Sequence, residues 1–373
     1  MRSIVALSVT AIALLASGRA GSGGRAALAR PRKERKMLGK ESIRNWAPVL
    51  AAASALVLAP GAVAASDTTP DAQLLKAYQP VLVFHPDESF RPTKVQSFVA
   101  DSQLEQFTGT NPQQLPLDAF WTVVDSDPEP GELGELSPAG FYRLNQAGCE
   151  ADAPLAGLAC YAQAWGEESG GDAVYGRVVR TQTRTVLQYW LFYYDNPLLL
   201  PPTPFGVFWQ SHEGDWEVVN IILDADGEPL EAAYSQHCSG QRRAWADVEK
   251  RDGTHPVAYV GLGSHANFFA PGAGPLGLVP FNPICIPPFV PPLPFLQIAD
   301  QVLAGPTGRQ TIHSIEGMAW SEFPGRWGES EYFFTPIPLG SFPAGALAVG
   351  LAPASPPFQA NWNVQTILGW PNS

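Results

Sequence analysis

The 373 residues are 45% hydrophobic and only 16% charged, which allows a domain with a real core and argues against a disordered or tail-like protein. With 23 basic against 35 acidic side chains and a formal net charge of -12, a bulk electrostatic grip on nucleic acid is disfavoured. The 35 Gly and 37 Pro, without a collagen period, point to many turns and short strands rather than long helices.

Two apolar stretches open the chain, Ile4 to Ala16 and Ala47 to Leu58. The second is the more complete export signal: Met37 starts it, Lys40 and Arg44 form a basic lead, and Ala62-Val63-Ala64 fits a small-residue cleavage site. The expectation is therefore an N-terminal extension and signal peptide over 1–65, with Met37 as the true start, and a single secreted domain over 66–373. A membrane anchor is the alternative, but neither run reaches the roughly 20 residues a span needs. Without residues 1–65 the chain carries 13 basic and 33 acidic side chains, a balance of -20. The four cysteines all follow the signal, and an even count in an oxidising compartment suggests disulfides. Cys149–Cys160 closes a short loop and leaves Cys238–Cys285, although four cysteines allow three pairings.

Along the mature chain, Asp71 to Ala77 reads as a short helix and Tyr78 to His85 as a strand. Residues 99–118 suggest a short helix, and the acidic, Pro- and Gly-rich 125–138 a loop. From Val174 onward strands dominate. Thr183 to Tyr193 is β-branched and aromatic, and Asp215 to Leu223 forms another strand. After the turn at Asp224-Ala225-Asp226-Gly227, Glu231 to His237 returns antiparallel. Val257 to Gly261 and Glu331 to Thr335 complete the set. The fold class expected is mostly β: an antiparallel β-sandwich with a few short helices and long Pro-rich loops. Those loops are Asn196 to Trp209 and Ala270 to Leu296. They either fold over a sheet face or form an apolar rim that touches lipid.

The most informative stretch is Ser211-His212-Glu213-Gly214-Asp215-Trp216-Glu217. On a strand, Asp215 and Glu217 share a face about 7 Å apart, while Trp216 and Val218 point the other way. Two like charges among apolar strands are unfavourable unless something positive lies between them. A divalent cation would resolve this with Asp215, Glu217 and His212 as ligands, and with Asp195, which ends the preceding strand, as a fourth. Magnesium or calcium suits such oxygen-rich donors best; manganese or zinc is also compatible. The alternatives are a solvated acidic face and an Asx turn at Asp195. His265, in Gly261-Leu262-Gly263-Ser264-His265-Ala266-Asn267, is either a ligand or acid–base group or a hydrogen-bonded structural histidine. His237 either lines the same pocket or caps a strand. His85, Asp87 and Glu88 read as turn residues, and Arg326 as an anion clamp or a structural arginine. No nucleotide-binding loop, zincin motif or nucleophile elbow occurs.

Ser211 to Glu217 resembles the G-H-R-H-D-W-E heptapeptide of the necrosis- and ethylene-inducing-peptide-like proteins, secreted cytolysins that act on plant membranes. The shared residues are His212, Asp215, Trp216 and Glu217, and the aromatic strand Gln188 to Asp195 is also similar. Glu213 and Gly214 depart from the heptapeptide. A wider resemblance, over about 75–335, is to the vacuolar-protein-sorting-associated sixty-two-like family. Its blocks are matched by Tyr78 to Glu88, Tyr189 to Tyr194, His212 to Glu217, Gln236-His237 and Gly263 to Phe269. The first resemblance implies a β-sandwich with a divalent ion in an acidic cavity, held by Asp195, His212, Asp215 and Glu217. The expected function is engagement of an anionic or sugar-bearing amphiphile or membrane lipid headgroup. A metal-dependent hydrolase of phosphoesters or lipids, with Glu213 or His265 as base, is the alternative. A structural secreted domain without an ion is the third.

Overall fold

The computed structural model describes residues 69–373 apart from 110–119, 147, 150–159, 167–171, 200–205, 238, 281–298, 331, 340, 341 and 350. The expected signal segment, the start at Met37, the boundary at 65 and the Cys238–Cys285 pairing lie outside the described residues. The Cys149–Cys160 disulfide is formed. Among the described residues no helix is long and apolar enough to cross a membrane.

Helix α1 (Pro70–Ala77) starts where the Thr69 hydroxyl accepts from the Ala72 N–H and Pro70 fixes the first φ. The strand β1 (Val81–Phe84) is buried along its whole length because it lies inside a sheet. The helix expected within 99–118 lies earlier, as α2 (Val95–Asp101). It stops where Ser102 turns extended and its hydroxyl caps the Phe98 carbonyl. The next residues form β2 (Ser102–Phe107), which pairs with β3 (Trp121–Asp125) and β4 (Tyr142–Gln146). Of the expected loop 125–138, Asp125 ends β3 and the rest is loop except for one 3-10 turn. A helical stretch, α3, covers 160–166.

The body of the molecule is a long hairpin of β5 (Ala173–Arg180), β6 (Thr185–Leu199) and β7 (Gly206–Leu223), continued by β8 (Pro229–Gln236) and β9 (Ser239–Ala244). Then follow β10 (Lys250–Arg251), β11 (His255–Val260), β12 (Asn267–Phe268), β13 (Leu278–Pro280), β14 (Ala299–Gln301), β15 (Thr307–Gly308), β16 (Thr311–Ser314), β17 (Tyr332–Leu339) and β18 (Phe342–Val349). An eight-stranded sheet runs β16-β5-β6-β7-β18-β17, with β8 and β9 attached to the far half of β7. A five-stranded sheet, β10-β11-β1-β15 with β12, packs against it. Tyr234 of β8 stacks on Phe269 at 4.0 Å, and its hydroxyl donates to the Val257 carbonyl. The pairing is mostly antiparallel, as expected, but β1–β11, β5–β16 and β7–β18 are parallel.

The first Pro-rich segment is not a loop throughout. Asn196 to Leu199 continues β6, and Gly206 to Trp209 begins β7, with Leu199 opposite Trp209. Strand β5 pairs with β6 only as far as Trp190, so beyond that point β6 has a ladder partner on one side. Pro197 is tolerated there because a missing N–H costs least at such an edge. Leu198, expected as rim or cover, is buried. Residues 200–205 and 281–298 of the two Pro-rich segments lie outside the described residues.

Trp216 points away from its acidic neighbours into an aromatic cluster of Phe192, Trp320, Trp327, Trp190 and Tyr175. Each such ring pair adds about 0.5–1.5 kcal/mol beyond its buried area. This packing fixes the rotation of β7 and therefore where Asp215 and Glu217 are presented.

Candidate functional site

The hairpin register sets Asp215 opposite Tyr193, Glu217 opposite Leu191, and Asp195 opposite Glu213. Asp195 and the Asp215 strand are thus neighbours across the hairpin, as the sequence predicts. Between Asp215 and Glu213 lies Gly214 at φ +59°, where a Cβ would stand 1.8 Å from the Trp327 carbonyl oxygen. Only glycine fits such a site.

Asp215 reaches the second sequence motif. The turn after β11 carries Gly263 at φ +72° and His265 at φ +53°. That backbone turns the fully buried His265 imidazole onto the Tyr193 ring, stacked at 3.8 Å and 3°. His265 Nδ1 donates to Asp215 Oδ2 at 3.0 Å, and its Nε2 faces Glu88 Oε1 at 3.5 Å. Glu88 is itself fixed by the N–H groups of Gly263 at 2.7 Å and Phe90 at 2.8 Å. Burial opposes the charge on His265. The Glu88 carboxylate and the bond to Asp215 outweigh it and raise the imidazole to about 9. Burial likewise works against the Glu88 carboxylate, yet His265 and the two backbone donors hold it below its ordinary range. The His265 ring thus lies between two of the acids, Asp215 and Glu88, which together favour its charged form.

Glu217 stands apart from this pair. It takes a short hydrogen bond from the Ser235 hydroxyl. Burial, then the charge of Asp215, push Glu217 well above the usual carboxylate range. His237, at φ +58°, donates from Nε2 to the fully buried Asp300 at 3.0 Å. It joins the same polar region, since Asp300 and the His237 N–H both act on Glu217. His212 donates from Nδ1 to the Gly214 carbonyl at 2.8 Å, and burial holds its imidazole down despite Asp215.

Glu213, one residue beyond Gly214, has a different environment. Its carboxylate accepts from the backbone N–H of Gln146 at 3.1 Å, the N–H of Glu329 at 2.9 Å and the Tyr161 hydroxyl at 2.9 Å. Burial raises Glu213 to about 7, against the pull of these donors and of Arg143. Arg143 is buried between Glu105 at 2.6 Å and Glu329 at 3.0 Å. Asp195 and Glu213 both act on Tyr161, where burial is the largest cause of a strongly raised hydroxyl.

The expected metal ligands are thus divided. Asp215 is bonded to His265, Glu217 to Ser235, and His212 to a carbonyl, while Asp195 lies towards Tyr161 and Glu213. Among the described residues no three His, Cys, Asp or Glu side chains gather as a metal site. The donor types suit a hard cation. As placed, one oxygen of Asp215 and one of Glu217 already accept hydrogen bonds from His265 and Ser235. For the expected base roles, His265 has both ring nitrogens turned on carboxylates, and a doubly protonated ring has no lone pair to offer.

Glu88 is more than the turn residue its sequence suggests, while His85 does close that turn by accepting from the Asp87 N–H. Arg326 is exposed and donates from Nη1 to the Ala352 carbonyl at 3.3 Å. Arg143, Tyr161 and Asp300 were not singled out by sequence. They lie in segments with no motif of their own and meet the site only through long-range packing.

No family model and no curated protein matches the chain. The wider sixty-two-like resemblance therefore rests on the quoted motifs alone. Among solved structures, NLPPya in complex with glucosamine aligns at 14% identity and a TM-score of 0.35, over 69% of this chain and 81% of that chain. The non-toxic HaNLP3 protein gives 15% and 0.32, over 68% and 79%. Necrosis and Ethylene inducing Protein 2 from the causal agent of cocoa's Witches Broom disease gives 15% and 0.29, over 68% and 77%. Likeness at this level carries no weight for ligand or mechanism.

Proposed function

We propose that this is an exported β-sandwich protein that engages the polar head of an anionic or sugar-bearing amphiphile, such as a membrane lipid headgroup, in a cytolysin-like manner. One observation carries the reading: the two motifs singled out by sequence, D-W-E on β7 and G-S-H-A in the turn between β11 and β12, meet as the buried Asp215–His265 pair. Building such a pair costs desolvation that a purely structural core would avoid. The surrounding carboxylates and imidazoles offer both acceptors and donors, the complement that hydroxyls and anionic oxygens require. A divalent ion held by Asp195, His212, Asp215 and Glu217 would compete with His265 for the Asp215 carboxylate. Magnesium or calcium would then be the expected ion, and carboxylate oxygens its ligands.

The test is co-sedimentation and dye release with vesicles of neutral phosphatidylcholine alone, or doped with anionic phospholipid or with glycolipid. Binding to a doped vesicle that weakens about tenfold or more in Asp215→Asn supports the reading. Equal behaviour on all three vesicles, or an unaffected Asp215→Asn, defeats it. Repeating the assay with a chelator separates the ion from the headgroup.

A further inference from the structure

The polar cluster is deeply buried. Glu213 and His265 are fully buried, and Asp215, Glu217 and Asp195 are at most 5% exposed. A solvent molecule reaches Glu213 and His265 only if part of the protein moves. The strands around them are tied into ladders on β6 and β7 and open only at high cost. Helix α3 differs. It is short and no described sheet ladder includes it; it rests on the core through Tyr161, Ala162, Ala164 and Trp165, while Gln163 and Gly166 are exposed.

Its inner side reaches both parts of the site. Tyr161 is 1% exposed and donates to Glu213 at 2.9 Å. Trp165 sets its edge against Phe90, with ring centroids 6.5 Å apart. Phe90 in turn lies edge-on to His265 and gives its N–H to Glu88. Removal of Tyr161 would leave Glu213 with the Gln146 and Glu329 N–H groups, so departure of the helix strands no charge without donors.

The attachment of the helix is covalent. Cys160, the residue before Tyr161, is crosslinked to Cys149. The Cys149 N–H bonds the Gln146 carbonyl, and the Gln146 N–H bonds Glu213. The crosslink therefore pins the start of the helix to the strand end that holds the carboxylate beneath it. Cys160 is only half-buried, within reach of a reductant.

We propose that α3 is a lid over the carboxylate cluster and that the Cys149–Cys160 disulfide is its latch. Release breaks the S–S bond and forms two thiols. A dithiol supplies the two electrons and two protons and becomes a disulfide itself. This inference rests on the burial of the cluster and is independent of what binds there.

The experiment is hydrogen–deuterium exchange of the full chain, read by mass spectrometry with and without dithiothreitol. Reduction is expected to speed exchange over 160–166 about tenfold or more, while peptides from β6 and β7 stay protected. Unchanged exchange over 160–166 overturns the latch. Loss of protection throughout β6 and β7 also overturns it, because the crosslink would then staple the whole fold. Tyr161→Phe with the disulfide intact is expected to loosen 160–166 less than reduction does; equal or greater loosening assigns the hold to the hydroxyl and overturns the latch.

Discussion

Asp215 and Glu213 lie two residues apart on one strand, and the protein treats them differently. Asp215 faces a cation, the His265 imidazolium, which it shares with Glu88. Glu213 is held chiefly by neutral donors, two backbone N–H groups and a tyrosine hydroxyl, with Arg143 acting from beyond. Burial raises Glu213 to about 7 because dipoles compensate a lost hydration shell less completely than a full charge does. Burying a carboxylate therefore has two solutions here. Gly214, where only glycine fits beneath the Trp327 carbonyl, is the hinge between them.

The largest expected effect comes from removing the cation. His265→Gln leaves Asp215 and Glu88 buried without their counter-charge and is expected to cost about 3–5 kcal/mol. Calorimetric unfolding reads it, and a loss below about 1 kcal/mol would show that the imidazolium does not hold the acids. Next is Gly214→Ala, which forces a Cβ into a carbonyl at positive φ. About 3 kcal/mol is expected, and an unchanged melting temperature would mean that this hinge is not as tight as described.

The pH profile sharpens the comparison further. His265 is raised from 6.5 to about 9, so its contribution is complete below about 6.5 and is lost as pH climbs through 9. Glu213 is raised from 4.5 to about 7, so the folded state also holds that proton more tightly than the unfolded chain, and stability falls between those values as pH rises. Denaturation midpoints should decline from pH 5 to pH 9. In His265→Gln the decline above pH 7 should become shallower, with the remainder carried by the raised Glu217, and an unchanged slope would show that His265 does not contribute.

Much of this was legible in the sequence. The D-W-E alternation predicts acids on one side and Trp216 in a core, and the aromatic cluster around Trp216 bears that out. The glycines of G-L-G-S-H-A predict a turn that presents His265, and positive φ at Gly263 and His265 is how it does so. The partner of the acids was less legible. An acidic pattern on one strand shows that a counter-charge is needed, but not whether an ion or a histidine from another sheet supplies it. Glu88 follows a strand and reads locally as a turn; only the parallel pairing of β1 with β11 brings it beside the His265 turn. The Pro-rich residues 196–199 read as a loop because proline opposes a central strand, whereas β6 is one-sided at that point.

The ionisation state of His265 tests the account most directly. Nitrogen-15 NMR of the full chain at pH 7.5 should show both ring nitrogens protonated, with the signal lost in His265→Gln. A ring with one bare nitrogen at that pH would contradict the account, because the acids of the D-W-E strand would then need a cation from outside the protein.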